Sequence, residues 1–250
     1  MREPLVVQAR YRGPARSANG GYTCGALAHA LGDSIGRAVS VQLSQPPPLD
    51  AGMHLDDRDR GLQLSFGGAE VATAWYAEAD VEPVEGVSWD EATAASPSYP
   101  GFRSHPFPSC FACGTERPDG LRIFPGEVPA AAGGRTRVAA PWTPDRTLSA
   151  DWHEYDDPAR RACLAATWAA LDCVGGWAGD LTERLMVLGR MTAVIDDLPV
   201  VGEPHVVVGE ARGSEGRRTF TAATLHDADG RIVGRAEHVW VSVDPARFNG

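Results

Sequence analysis

The sequence predicts an α+β fold made of two similar halves, each a central helix wrapped by a curved antiparallel sheet. Three observations predict it. Residues 162–171, ACLAATWAAL, are apolar on every side, and a helix apolar all round must be buried all round. Residues 218–243 carry period-two segments, TFTAATLH and RIVGRAEHVWVSV, on either side of DADG. Asp-Gly tolerates the positive φ of a tight hairpin turn. The order of elements also repeats along the chain, which points to an internal duplication.

The first half opens with a strand-like PLVVQARY and continues into a small-residue helix, GGYTCGALAHAL. A strand, AVSVQLSQ, follows, then PPPLDAGMHL and the alternating segment GLQLSFGGAEVATAWYAEAD. Residues 96–109, SPSYPGFRSHPFPS, are dense in Pro and Ser and read as a linker or extended crossing. The expected division is therefore an N-terminal unit over 1–95, a linker over 96–109 and a C-terminal unit over 110–250. In the second half GLRIFP and TRVAAPW read as strands. The helix follows, predicted over 159–172, and then LMVLGRMTAVI, LPVVGEPHVVV and the DADG hairpin. Asp156 and Asp157 before Pro158 predict the N-cap and first turn of that helix. Gly175-Gly176 predict its stop, which would leave Asp172 in the last turn.

Composition narrows the function. Of 250 residues 43% are apolar, enough for a full core, and 22% are charged, too few for a disordered chain. The formal net charge is −10 and no Lys/Arg cluster could track a phosphate backbone, so nucleic acid is not an expected partner. No apolar run reaches the ~20 residues that span a bilayer. The first residues lack a signal-peptide apolar core, and the five cysteines are an odd number. Both features favour reduced thiols in the cytoplasm. Cys24, Cys163 and Cys173 fall on small-residue helices and read as buried hydrophobes. Cys110-x-x-Cys113 lacks the second ligand pair that zinc needs; His105 is near, but a fourth ligand is missing. The expectation is no metal and no cofactor. Nucleophile-elbow, Rossmann and P-loop signatures are absent.

Specific segments resemble a family. CFACGTERPDGLRIF at 110–124 resembles the opening of many small hotdog thioesterases, roughly C-F-x-C-G-x-x-x-P-x-G-L. WAALDCVGGWA at 168–178 is similar to the end of their central-helix motif and puts Asp172 on its carboxylate. ANGGYTCGALAHAL at 18–31 resembles the first helix of bacterial acyl-CoA thioesterase II, and ALDCVGGW that family's L-D-H segment. The resemblance implies a double hotdog that binds and hydrolyses an acyl-CoA thioester. It also implies association into a homodimer or higher oligomer through the outer sheet faces.

The candidate site follows from both readings. Asp172 is the expected base, with burial and a helix C-terminus both raising its pKa. Asn19, Gly20 and Gly21 offer a helix N-terminus to a developing oxyanion, and the glycines allow close approach. The first half keeps the Gly-Gly start but has Ala28-His29 where the family has its acid. The second keeps the acid but has Arg161, Ala162 and Cys163 where Gly-Gly would be. One site, shared between the halves, is expected. His238 falls near the family's strand Gln, and Arg212, with Ser214 close by, near its Thr. Those departures keep two alternatives open: a non-catalytic acyl-CoA-binding module, or an enoyl-CoA hydratase or dehydratase using an Asp–His pair.

Overall fold

A computed structural model of the chain describes residues 2–78, 80–130, 133–149 and 158–244. Ten strands form one sheet: β1 (Val39–Leu43), β2 (His54–Arg58), β3 (Gly61–Phe66), β4 (Ala69–Tyr76), β5 (Gly126–Val128), β6 (Arg137–Trp142), β7 (Met186–Ile195), β8 (His205–Glu215), β9 (Arg218–His226) and β10 (Ile232–Ser242). Their order is β2-β3-β4-β1-β7-β10-β9-β8-β6-β5, and neighbouring strands pair antiparallel throughout. The strands of the two halves thus pair edge to edge within the chain into one continuous sheet. The four strands of the first half join the six of the second through β1 and β7, with Val39 opposite Ala193 and Gln42 opposite Arg190. This joint pairs two strands that would otherwise be open edges. The remaining edges, β2 and β5, are short, and β2 (HLDDR) is largely exposed and charged, both features that discourage further strand pairing.

Among the described residues three α-helices accompany the sheet: α1 (Gly20–Leu31), α2 (Trp89–Ala95) and α3 (Leu164–Ala178). All fifteen residues of α3 are buried, between α1 on one side and strands β6–β10 on the other. The two long helices pack closely because α1 presents glycine at 21 and 25. A Cβ on Gly25 would lie 2.7 Å from Ala165 Cα, and one on Gly21 would lie 2.4 Å from Asp172 Cβ. Gly67 and Gly68, at φ +58° and +81°, turn β3 into β4 and split the long alternating segment in two.

Several local expectations are corrected. PLVVQARY is not a strand; it makes one bridge, Leu5 to Met53, and a 3₁₀ turn at Ala9–Tyr11. GLRIFP runs irregularly into the short β5. Helix α3 begins after Cys163, so Pro158 is not in its first turn; Asp156 and Asp157 lie outside the described residues. Gly175 and Gly176 do not stop the helix. They let strands approach it: a Cβ at Gly175 would sit 2.7 Å from His238 Nδ1, and one at Gly176 3.1 Å from the Trp240 ring. The helix continues to Ala178, so Asp172 is mid-helix.

Helix α2 had no counterpart in the sequence reading. Ser88 and Glu91 form a capping box at its start, with Ser88 Oγ accepting from Glu91 N and the Glu91 carboxylate accepting from Ser88 N. Its Ala92, together with Val84, packs on Val128, Ala139, Val206, Val208 and Ala222 of the sheet. Within 96–109, Ser96–Ser98 and Pro100–Phe102 form 3₁₀ turns, and the Tyr99 ring is fully buried.

Candidate functional site

Helix α1 starts where Asn19 caps it. Its side-chain oxygen accepts from Tyr22 N at 2.8 Å, satisfying one orphan donor of the first turn. The other end of the same amide, Nδ2, donates to Asp172 Oδ2 at 3.1 Å. Gly21 N donates to that same oxygen at 2.9 Å. A carboxylate from the middle of α3 is therefore held by the N-terminus of α1, and the glycine at 21 makes the approach sterically possible. Oδ1 of Asp172 is buried and has no partner among the described residues. Burial pushes the Asp172 carboxyl up to about 7, against the lowering effect of Gly21 N–H; the nearby Cys110 raises it further and Asn19 lowers it. The expected contribution of a helix C-terminus falls away, because the helix does not end there.

Asp172 lines a cavity of about 270 Å³. Asn19 and Gly20 form one wall; Leu43, Leu188 and Trp240, from the ends of β1, β7 and β10, form an apolar one. The cavity thus opens at the joint between the two groups of strands. The Gly20 N–H has no protein acceptor among the described residues, whereas the Gly21 N–H is committed to Asp172.

Asn19, Gly20, Gly21 and Asp172 are thereby brought together, and His238 is not with them. His238 is buried on β10 beneath Gly175, with Nδ1 3.2 Å from Thr221 Oγ1, its neighbour across β9. It is not among the residues lining the cavity. Burial pushes its pKa down to about 4, so it is a neutral core imidazole at neutral pH. Arg212 pairs with Glu210 at 3.2 Å and Ser214 is exposed near the end of β8; neither lines the cavity. Arg161 is held by Asp197 and the Leu198 carbonyl.

The sequence reading missed a group of sulfurs. The CFACG segment folds as a tight turn, with Gly114 N donating to the Cys110 carbonyl at 2.9 Å. Phe111, fully buried, anchors the turn against Tyr11 and Tyr22, which stack with centroids 3.9 Å apart. Tyr99 Oη and His105 Nε2 both bond the Cys113 carbonyl at 3.0 Å. This turn places Cys110 and Cys113 against Cys173, the residue after Asp172, and all three line the cavity. The Cys110-x-x-Cys113 spacing and the adjacency of Asp172 and Cys173 were the available signals; the long separation between the two segments hid their meeting.

No family model matches the chain, and no curated protein sequence matches it. Solved structures do. The tesB protein of Mycobacterium avium subs paratuberculosis superposes with a TM-score of 0.55 at 12% identity, over 92% of this chain and 89% of that one. Acyl-CoA thioesterase II TesB2 of Mycobacterium marinum gives 0.52 at 12% identity, over 92% and 91%. The chain thus has the hotdog fold of the thioesterase II structures along nearly its whole length, in agreement with the resemblance read from its motifs.

Proposed function

We propose that the protein hydrolyses an acyl-CoA thioester in the cavity between α1 and α3. The observation that carries this reading is the arrangement at Asp172, a side chain that lines the cavity: one oxygen is fixed by Gly21 N–H and Asn19, and the other is buried without a partner among the described residues. In the proposed step Asp172 Oδ1 takes a proton from water, and the water oxygen bonds the thioester carbonyl carbon. The carbonyl oxygen becomes negative and is held by the Gly20 N–H at the start of α1. Collapse breaks the C–S bond, and the proton on Asp172 passes to the departing CoA sulfur. A pKa near neutrality suits a group that must both accept and return a proton. The acyl chain lies along the apolar wall, and the CoA end remains towards solvent.

In this reading the halves 1–95 and 110–250, joined by 96–109, descend from a duplication. One kept the glycine-rich helix start and the other the acid, so one site remains of two. Each helix with its own strands would be one hotdog of the pair, working in the cytoplasm as a homo-oligomer. Neutral His238, away from the cavity, gives no support to an Asp–His hydratase. The test is thiol release from a panel of acyl-CoAs of increasing chain length, alongside a direct binding measurement. Turnover above the uncatalysed rate supports hydrolysis. Saturable binding without turnover would overturn hydrolysis and make the chain an acyl-CoA-binding module; the absence of both binding and turnover would overturn the acyl-CoA reading.

A further inference from the structure

Beside Asp172, and not used by the proposed hydrolysis, lies a cluster of three buried cysteines. The sulfurs of Cys110, Cys113 and Cys173 all lie within 4.8 Å of one another, and Cys110 Sγ is 3.7 Å from Cys173 Sγ. Such spacing is far beyond the ~2 Å of a disulfide. The Cys110–Cys173 distance matches that of two ligands on a common ion. Sulfurs bound tetrahedrally at ~2.3 Å from zinc stand roughly 3.8 Å apart, because a tetrahedron's edge is about 1.6 times its centre-to-corner distance.

We propose that Cys110, Cys113 and Cys173 form a binding site for a thiophilic divalent ion of the zinc type, its fourth position open to the cavity. Three features beyond proximity support it. Two of the ligands come from one tight turn, Cys-x-x-Cys, while the third comes from a rigid, wholly buried helix. A site built on two independently anchored elements keeps its geometry without relying on a mobile loop. The surroundings also supply N–H groups suited to thiolate sulfur. Asn19 Nδ2 reaches Cys110 Sγ at 3.7 Å and Cys173 Sγ at 3.8 Å, the kind of outer contact that orients metal ligands. Finally, Asp172, whose Oδ1 is buried and has no partner among the described residues, lines the same cavity as the three cysteines. A closed structural zinc site has four protein ligands; three, with a polar cavity atom nearby, leave room for water or for a ligand atom.

His105, the fourth-ligand candidate nearest in sequence, is excluded by its bonding. Its Nδ1 accepts from Phe107 N at 2.9 Å, which places the proton on Nε2, and Nε2 donates to the Cys113 carbonyl. Its role is to hold the turn that carries two of the sulfurs. Cys24 and Cys163 lie outside the cluster, so the site uses three of the five thiols.

The inference does not depend on thioester hydrolysis, and its test does not use turnover. The full chain is reduced, stripped of metal with a chelator and titrated anaerobically with Co²⁺. The expected result is a thiolate-to-cobalt charge-transfer band with the visible bands of tetrahedral cobalt. It saturates at one ion per chain and is displaced by one equivalent of Zn²⁺. Cys113→Ser is expected to weaken Zn²⁺ binding roughly a hundred-fold, one ligand's share of a structural zinc affinity. Since a cysteine variant could fail to fold, the wild-type chain supplies a second readout. Zn²⁺ should slow alkylation of Cys110, Cys113 and Cys173, mapped by mass spectrometry, and leave half-buried Cys163 unaffected. No thiolate–cobalt band, a band that survives in the folded Cys110→Ser/Cys113→Ser double variant, or alkylation of the three cysteines unchanged by Zn²⁺ would each overturn the site.

Discussion

Replacing His238 with glutamine removes a titratable group from beneath α3 and tests how dry that part of the core is. The imidazole is 2% exposed, its Nδ1 faces Thr221, and burial pulls its pKa from 6.5 to about 4. The sign follows from which state takes the proton first. As pH falls through 6.5 the unfolded chain protonates this histidine while the folded chain keeps it neutral until about 4. Stability from this group is complete above the unfolded value and is lost progressively between the two. Between about pH 7.5 and about pH 4.5 the loss is ~2.5 kcal/mol, from ~1.4 kcal/mol per pKa unit. His205 and His226 are also lowered by burial, so the wild-type slope is a sum. The assay is therefore a difference: urea unfolding of wild type and His238→Gln at both pH values. The variant is expected to lose ~2.5 kcal/mol less than wild type over that interval, whatever its absolute stability. Equal losses in the two proteins would refute the reasoning and place His238 in contact with water.

Three further substitutions probe separate parts of the molecule. Gly25→Ala gains up to ~1 kcal/mol of helix propensity but puts a Cβ 2.7 Å from the backbone of Ala165, so a net loss of about 1–3 kcal/mol is expected in chemical denaturation; an unchanged midpoint would contradict the close helix crossing. Ser88→Ala removes the capping box of α2 and should cost ~1 kcal/mol in thermal or urea unfolding while leaving thiol release at the wild-type rate. Gly20→Pro removes the proposed oxyanion donor at the first helical position, where proline is tolerated after the extended Asn19. An added Cβ would lie 3.0 Å from Leu188 Cβ and 3.3 Å from Leu43 Cδ1, so these neighbours must give by a few tenths of an ångström. A fall in kcat of roughly 10²–10³-fold is expected, with the circular dichroism spectrum retained.

Much of the architecture was legible because it rests on local pattern. The all-apolar helix, the Asp-Gly hairpin and the alternation in β9 and β10 each carry their own periodicity. The meeting of Asn19–Gly21 with Asp172 was legible only as complementarity between two halves, since nothing local says that residues 19 and 172 touch. The failures share a cause: residues chosen for tertiary contact resemble residues chosen for local punctuation. Gly175-Gly176 has the sequence of a helix stop, yet it exists to admit His238 and Trp240. PLVVQARY has strand composition but is used in an irregular segment whose Tyr11 stacks on Tyr22. His238 could be located on its strand from its distance to the turn, but which face of the sheet it occupied, and hence its absence from the cavity, depended on packing. Cys173 could not be matched to Cys110 and Cys113, because sequence separation conceals a spatial cluster.

The central claim is that Asp172, held by Gly21 N–H and Asn19 on the wall of the cavity, activates water. The most direct measurement is steady-state thiol release from the best acyl-CoA substrate by wild type and Asp172→Asn. Asparagine keeps the size and can still accept from Gly21 N–H, so the fold should persist, checked by circular dichroism and by unchanged substrate binding. The account predicts a fall in kcat of roughly 10²–10⁴-fold, the usual worth of a positioned base. A folded Asp172→Asn protein that turns over substrate at the wild-type rate would contradict it, leaving the acid as a structural link between α1 and α3.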